Sequence, residues 1–109
     1  MHIQFNTDHN IPAHEVLAAH VRSIVEDALS RFSEHITRVE VHLSDENGDK
    51  GGPDDKRCMM EVRLEGRQPV AVTHQAASGE QAIDGAADKL TRLVEHTLAR
   101  AVHIERPKH

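Results

Sequence analysis

The chain has few of the residues on which secreted and membrane proteins depend. It has a single cysteine, Cys58, in 109 residues, so it can form no internal disulfide and has no CxxC pair for zinc or redox chemistry. No apolar run exceeds the four residues 16–19, which excludes a membrane-spanning helix. Residues 1–4 lack the basic and apolar sections of a signal peptide. We therefore expect a cytoplasmic protein of one domain that is held together by packing alone.

Aromatic residues and positive charge are also scarce. Trp and Tyr are absent, and Phe5 and Phe32 are both expected on core-facing positions, so the core must be aliphatic and no exposed aromatic pair is available for base stacking. The 13 basic residues are outnumbered by 18 acidic ones, for a net charge of -5, which argues against binding nucleic acid by bulk charge. Protonation of all 10 histidines would bring the net charge from -5 to +5, so the charge could change sign in mild acid.

The pattern of apolar residues predicts an α+β fold. Apolar and polar residues alternate around 3–5, 36–43, 58–64 and 70–72, which predicts four strands, the last three forming an antiparallel meander. Apolar residues at three- and four-residue spacing predict a helix of about five turns ending near Phe32, and a second helix from a capping box at Ser78 to about Val102. The order is β-α-β-β-β-α, and we expect a four-stranded sheet with both helices packed on one face.

Start signals and loops complete this prediction. Residues 10–12 (Asn-Ile-Pro) supply a cap and a first-turn proline for the first helix, and the acidic segment 45–55 is predicted to be a mobile loop. We expect one domain over residues 1–103, followed by a polar tail at 104–109.

Two segments superficially resemble metal sites. His14 and His20 are six residues apart, about 600° of helix rotation, so they point to different faces and are interpreted as solvated residues rather than zinc ligands. The loop 45–56 offers acidic and amide oxygens, but Lys50 and Lys56 stand where an EF-hand needs its glycine and its bidentate glutamate. We predict no metal site.

The sequence also lacks motifs for catalysis or nucleotide binding. Gly51 and Gly52 are not followed by Lys-Ser or Lys-Thr, and no serine lies in a GxSxG elbow. Cys58 is expected at a core-facing position of a strand, where a thiol packs as a small hydrophobic group. We therefore predict no catalytic residue, no cofactor and no small-molecule substrate.

The remaining candidates are basic residues on the two predicted helices. Arginine is a better phosphate ligand than lysine, and nine of the thirteen basic residues are arginine. The alternative is a solvated face on which these residues pair with acids of their own helix. The candidates are Arg22, Arg31, Lys89, Arg92 and Arg100, and the intrahelical partners would be Glu26, Asp27, Asp84, Asp88 and Glu95.

Residues 82–92 read Ala-Ile-Asp-Gly-Ala-Ala-Asp-Lys-Leu-Thr-Arg. This stretch resembles the AIDG-x-x-DKL-x-R motif of the ribosome hibernation-promoting factors, the ribosome-associated inhibitor family once called sigma-54 modulation proteins. The resemblance extends more weakly over about 1–102, and it is to the short type, which lacks a C-terminal dimerisation domain. It implies a fold like that of double-stranded-RNA-binding domains.

The resemblance also implies a function. Family members act on the small ribosomal subunit, where they occupy the channel of mRNA and tRNA, block initiation under stress or in stationary phase, and help store inactive ribosomes. This implies a non-enzymatic factor that binds rRNA, with no DNA, membrane or cofactor as partner, and monomeric off the ribosome. Lys89 and Arg92 match basic positions of the family, Arg100 falls where a lysine is common, and Arg22 and Arg31 are further rRNA-binding candidates.

Two residues of the matching stretch have structural interpretations. Gly85 is expected to permit close packing, and Asp84 is favoured near a helix N-terminus.

The charge of the second helix supports an alternative hypothesis. His96 and Leu98 stand where lysines are usual in the family, and the segment 79–109 has a net charge of zero. Its five acids are Glu80, Asp84, Asp88, Glu95 and Glu105, and its five bases are Lys89, Arg92, Arg100, Arg106 and Lys108. The alternative is a protein-interaction or regulatory module that keeps the fold but has lost rRNA binding because of its acidic surface.

Overall fold

The computed structural model describes residues 1–8, 14–45 and 56–105, with side chains described up to residue 99. The predicted start signals at 10–12, the acidic loop beyond Asp45 and the tail beyond Glu105 lie outside these residues. The element order confirms the predicted α+β arrangement. The elements are β1 (His2–Thr7), α1 (His14–Leu29), a short 3-10 helix (Ser30–His35), β2 (Ile36–Asp45), β3 (Lys56–Leu64), β4 (Val70–Ala76) and α2 (Gly79–Glu105).

The four strands form one mixed sheet in the order β1-β2-β3-β4. The predicted antiparallel meander of β2, β3 and β4 is confirmed. β1 pairs with β2 in parallel, as expected when a helix crosses over between two neighbouring strands. In register, Phe5 lies opposite Val41, Val41 opposite Met60, and Met60 opposite Val72. β1 and β4 are therefore the edges of the sheet, and α2 covers β4.

The core lies between this sheet and the two helices, and it is aliphatic as predicted. Phe5 and Phe32 are half-buried and pack against the core, so neither offers an exposed stacking platform. Cys58 is fully buried on β3. The largest fully buried side chains are Leu29, Leu43, Met60, Ile83, Leu90, Val21, Val25, Val39, Val41, Val62 and Val94.

The helix ends differ from the prediction in two places. α1 ends at Leu29, and Phe32 lies in the following 3-10 helix, so the predicted five-turn helix is too long. Ser30 donates its hydroxyl to the backbone carbonyl of Asp27 at 3.3 Å, a local bond of the kind that competes with helix continuation. α2 runs to Glu105, three residues past the predicted end.

The predicted cap of α2 is present. The backbone N–H of Gln81 donates to the Ser78 hydroxyl at 3.1 Å. Neither helix in the described part of the chain combines the length and the apolar character needed to cross a bilayer.

Candidate functional site

The acids and the bases of α2 lie on two adjoining flanks of the helix. Each residue advances a helix by about 100°, so the direction of every side chain can be counted from Ile83, at the centre of the buried face. The acids Glu80, Asp84, Asp88 and Glu95 fall between about 60° and 140° from Ile83, on the side of α1. Lys89, Arg92 and His96 fall between about 180° and 240°, from the outer ridge toward β4. The segment 79–109, whose net charge is zero, therefore has an acidic flank and a basic flank on α2. The acidic flank is defined by those four acids, and the basic flank by the other three residues.

Lys89 is fixed against the edge of the sheet. Its Nζ donates to the backbone carbonyl oxygen of Thr73 on β4 at 3.0 Å. An ammonium has three donors, so this bond holds the side chain while leaving donors for a second acceptor. Lys89 is itself exposed to solvent.

Arg92 is one helical turn further along the basic flank. Its Nη2 lies 2.5 Å from Oδ2 of Asp88, and the side chains of Arg92 and Asp88 are 74% and 63% exposed. An exposed i,i+4 pair of this kind is worth about 0.3–0.5 kcal/mol. The guanidinium of Arg92 can therefore exchange its carboxylate partner for a phosphate at little cost.

Arg31 lies elsewhere, between the two helices. Its Nη2 donates to Oε2 of Glu95 on α2 at 3.0 Å, and its guanidinium carbon lies 4.6 Å from the centroid of the Phe32 ring. Arg31 lies in the 3-10 helix after α1, so its pair with Glu95 of α2 is not the intrahelical pair that the alternative interpretation expected. Among the candidates whose side chains the structure describes, Arg92 has the intrahelical partner, Asp88, that this alternative expected.

The five candidate residues do not form one patch. Lys89 and Arg92 share the basic flank, because residues three apart are neighbours on a helix. Arg22 is exposed on α1, where its position in the helix turns it away from α2 and Arg31. Arg100 lies within the backbone of α2, and its side chain is outside the described part.

A histidine and an aspartate also join the helices, and the sequence did not predict this contact. Nε2 of His20 lies 2.6 Å from Oδ1 of Asp84, and the two side chains are 26% and 50% exposed. The interpretation of His20 as a solvated residue is therefore wrong, while His14 is exposed and packs against Phe5 at 5.2 Å between ring centroids. Asp84, Asp88 and Glu95 follow one another at four and seven residues in the sequence. Such spacings place the three acids on one stripe of a helix.

Gly85 and Cys58 have structural roles. A Cβ on Gly85 would lie 2.6 Å from Cγ of His74 and closer still to other atoms of that ring, so the predicted close packing is confirmed. Burial raises the pKa of the Cys58 thiol from 9.0 to about 12, so it is not a nucleophile near neutral pH. Among the described residues, no group of three or more His, Cys, Asp or Glu side chains could hold a metal ion.

Comparison with known proteins identifies relatives of this fold. A family model described as Sigma 54 modulation protein / S30EA ribosomal protein matches residues 6–101. The chain is similar to the crystal structure of the N-terminal domain of Protein Y from Thermus thermophilus, with 24% identity, a TM-score of 0.71, and coverage of 89% of this chain and 99% of that one. It is also similar to a ribosomal subunit interface protein from Coxiella burnetii, with 18% identity, a TM-score of 0.65, and coverage of 91% and 99%. Comparison with curated proteins gave no match.

Proposed function

The chain belongs to the Sigma 54 modulation protein / S30EA ribosomal protein family, and on that premise we propose that it is a non-enzymatic ribosome-binding factor. It binds rRNA of the small ribosomal subunit, occupies the channel used by mRNA and tRNA, and inhibits translation under stress or in stationary phase. It works in the cytoplasm, needs no cofactor, and is a monomer off the ribosome.

The basic flank of α2 is the observation that carries this proposal. A protein without an exposed aromatic platform recognises folded RNA by shape, through Lys and Arg side chains that contact phosphates and 2′-hydroxyls. Such contacts need cations on a rigid element, and α2 is anchored over residues 82–94 by buried side chains such as Ile83, Leu90 and Val94. The tether of Lys89 to Thr73 also reduces the entropy that Lys89 would lose on binding.

The five candidate residues contribute to the proposed rRNA contact to different extents. Lys89, Arg92 and Arg100 form the main rRNA contact along α2. Arg31 serves as a secondary contact, because it must first leave or share Glu95. Arg22 contacts rRNA only where the RNA surface also reaches the far side of α1.

Co-sedimentation with purified small ribosomal subunits over a range of salt concentrations tests the proposal. Two phosphate contacts contribute about 0.7–0.9 each to the slope of log affinity against log salt. We expect the double variant Lys89→Glu/Arg92→Glu to bind at least about tenfold more weakly and to reduce that slope by about 1.4–1.8. The matched control is Arg57→Glu/Arg63→Glu, which makes the same charge change at exposed positions on the helix-free face of the sheet. It should bind within about twofold of the wild type.

The alternative hypothesis makes the opposite prediction. A module that keeps the fold but has lost rRNA binding would not co-sediment with subunits even at low salt. Equal losses in the two double variants would also reject the assignment to the basic flank, because they would mean that bulk charge decides binding.

A further inference from the structure

β4 is an edge strand that has no protection of its own against pairing with another chain. From Val70 to Ala76 it contains no Lys, Arg, Asp, Glu, Pro or Gly, and its register with β3 has no bulge. Natural edge strands are protected by charged residues, prolines or bulges. Uncharged segments of about six or seven residues with high β-propensity pair readily with copies of themselves. Any protection of this edge therefore has to come from another element of the fold.

The hydrogen bonds of the sheet show which backbone groups of β4 are turned outward. The carbonyl oxygen of Leu43 accepts the N–H of Asp8 at 3.3 Å, so Leu43 points its backbone groups toward β1. This direction alternates along a strand. His42 therefore points toward β3, and its partner Met59 points back toward β2. Thr73 lies opposite Met59, so the N–H and carbonyl groups of Thr73 point away from β3, at the free edge.

Lys89 of α2 supplies a charge at this edge. Its Nζ donates to the outward carbonyl oxygen of Thr73 at 3.0 Å. Ala71 and Gln75 are the neighbouring residues whose backbone groups also turn outward, so the ammonium lies at the centre of the free edge. It therefore stands in the path of any strand that approaches Thr73. Because an ammonium has three donors, Lys89 can keep this bond and still contact a phosphate.

A second copy of this chain fits the edge once the ammonium is absent. Antiparallel pairing about a two-fold axis sets Thr73 opposite its equivalent and Ala71 opposite Gln75, with about six backbone hydrogen bonds. All three residues are uncharged, and threonine pairs are favourable across strands. With Lys89 in place, the same axis brings two ammonium groups together, and like charges opposite each other destabilise a strand pair.

We propose that the contact between Lys89 and Thr73 is a guard that prevents dimerisation of the chain through β4. It depends on α2 lying close to β4, which Gly85 allows by leaving room for the ring of His74. The guard does not rest on the proposed rRNA contact, because it acts in the free protein. Loss of the ammonium converts the monomer into a dimer paired along β4.

Sedimentation velocity of the free full chain at micromolar to millimolar concentrations tests this proposal. We expect the wild type to sediment as a monomer. Lys89→Met keeps an unbranched side chain and removes the charge. Its dimerisation constant should exceed the limit for the wild type at least about tenfold, because neither copy has to give up a hydrogen bond to a charged group. Its circular dichroism spectrum should keep the helix and strand signals of the wild type.

Two variants separate the guard from a general effect of charge. Arg92→Met removes the same charge from the basic flank, but the partner of Arg92 is Asp88 and not β4, so this variant should stay monomeric. Lys89→Met/Thr73→Lys restores the net charge and moves it onto the edge strand, at an exposed side chain. This double variant should also stay monomeric.

Amide hydrogen exchange followed by NMR locates the dimer contact. In the monomer, the outward N–H groups of Ala71, Thr73 and Gln75 should exchange fast, while that of Val72, which points toward β3, is protected. In the Lys89→Met dimer, the three outward amides should exchange at least about tenfold more slowly.

Four outcomes would overturn the proposal. The first is a Lys89→Met chain that stays monomeric at every concentration. The second is equal dimerisation of Arg92→Met, which would mean that overall charge keeps the chains apart. The third is a dimer whose outward amides still exchange fast, which would place the contact elsewhere. The fourth is a wild-type dimer with these amides protected, which would mean that Lys89 does not block the edge.

Discussion

Replacing Gly85 with alanine tests how α2 is held against the edge strand β4. A Cβ at this position would lie 2.6 Å from Cγ of His74. The position of Cγ is set by χ1 alone, so turning the imidazole about χ2 cannot relieve the clash. The ring must adopt a new χ1 rotamer and leave the half-buried place it holds against α2.

The size of the effect follows from two opposing terms. Forcing extra atoms into a packed contact costs about 1–3 kcal/mol. Alanine instead of glycine in the interior of a helix gains about 1 kcal/mol. We therefore expect Gly85→Ala to lower the free energy of unfolding by about 1 kcal/mol in the wild-type background. In a His74→Ala background the clash is gone, so the same change should raise that free energy by about 1 kcal/mol, a coupling of about 2 kcal/mol.

Urea unfolding followed by far-ultraviolet circular dichroism is the assay, because the chain has no Trp or Tyr for a fluorescence readout. The single variant should also lower Tm by roughly 4–8 °C, the usual shift per kcal/mol in a domain of this size. If Gly85→Ala raises stability by about 1 kcal/mol in both backgrounds, His74 does not rest on Gly85 and the packing argument fails.

Two further predictions concern the cap of α2 and the buried thiol. Ser78→Ala removes the acceptor for the Gln81 N–H and should lower the free energy of unfolding by about 1 kcal/mol. Ser78→Asn, which keeps an acceptor, should restore most of that free energy. An unchanged urea midpoint in Ser78→Ala would contradict the capping role. The pKa of Cys58 is raised to about 12 in the folded chain against 9.0 for an exposed thiol, so above pH 9 the unfolded state loses a proton that the folded state keeps. The wild type should therefore lose up to about 1.4 kcal/mol of stability per pH unit between 9 and 12 relative to Cys58→Ala, and parallel pH profiles of the two would refute this.

The local patterns in the sequence were sufficient to predict most of the fold. Strand alternation placed Val39, Val41, Met60 and Val62 on the core face, and all four are fully buried. The parallel pairing of β1 was not assigned, although it follows from the helix between β1 and β2, since such a crossover returns the chain in the same direction.

The contacts between the helices could not be predicted from local patterns. Arg31 and Glu95 are 64 residues apart, as are His20 and Asp84, so no spacing rule relates them. Whether such residues meet depends on how α1 and α2 lie side by side, which is decided by the packing of Ile24, Ala28 and their neighbours. Spacing rules can suggest intrahelical pairs alone, and among the candidates with described side chains Arg92 forms such a pair, with Asp88.

The separation of charge on α2 also explains how an acidic protein can hold a site for an anionic partner. Lys89 lies about 100–180° around the helix from the four acids, and Arg92 shares only an exposed, weak pair with Asp88. At physiological ionic strength the Debye length is about 8 Å, and charges beyond that distance are largely screened. The proposed contact therefore depends on the local basic flank far more than on the net charge of -5.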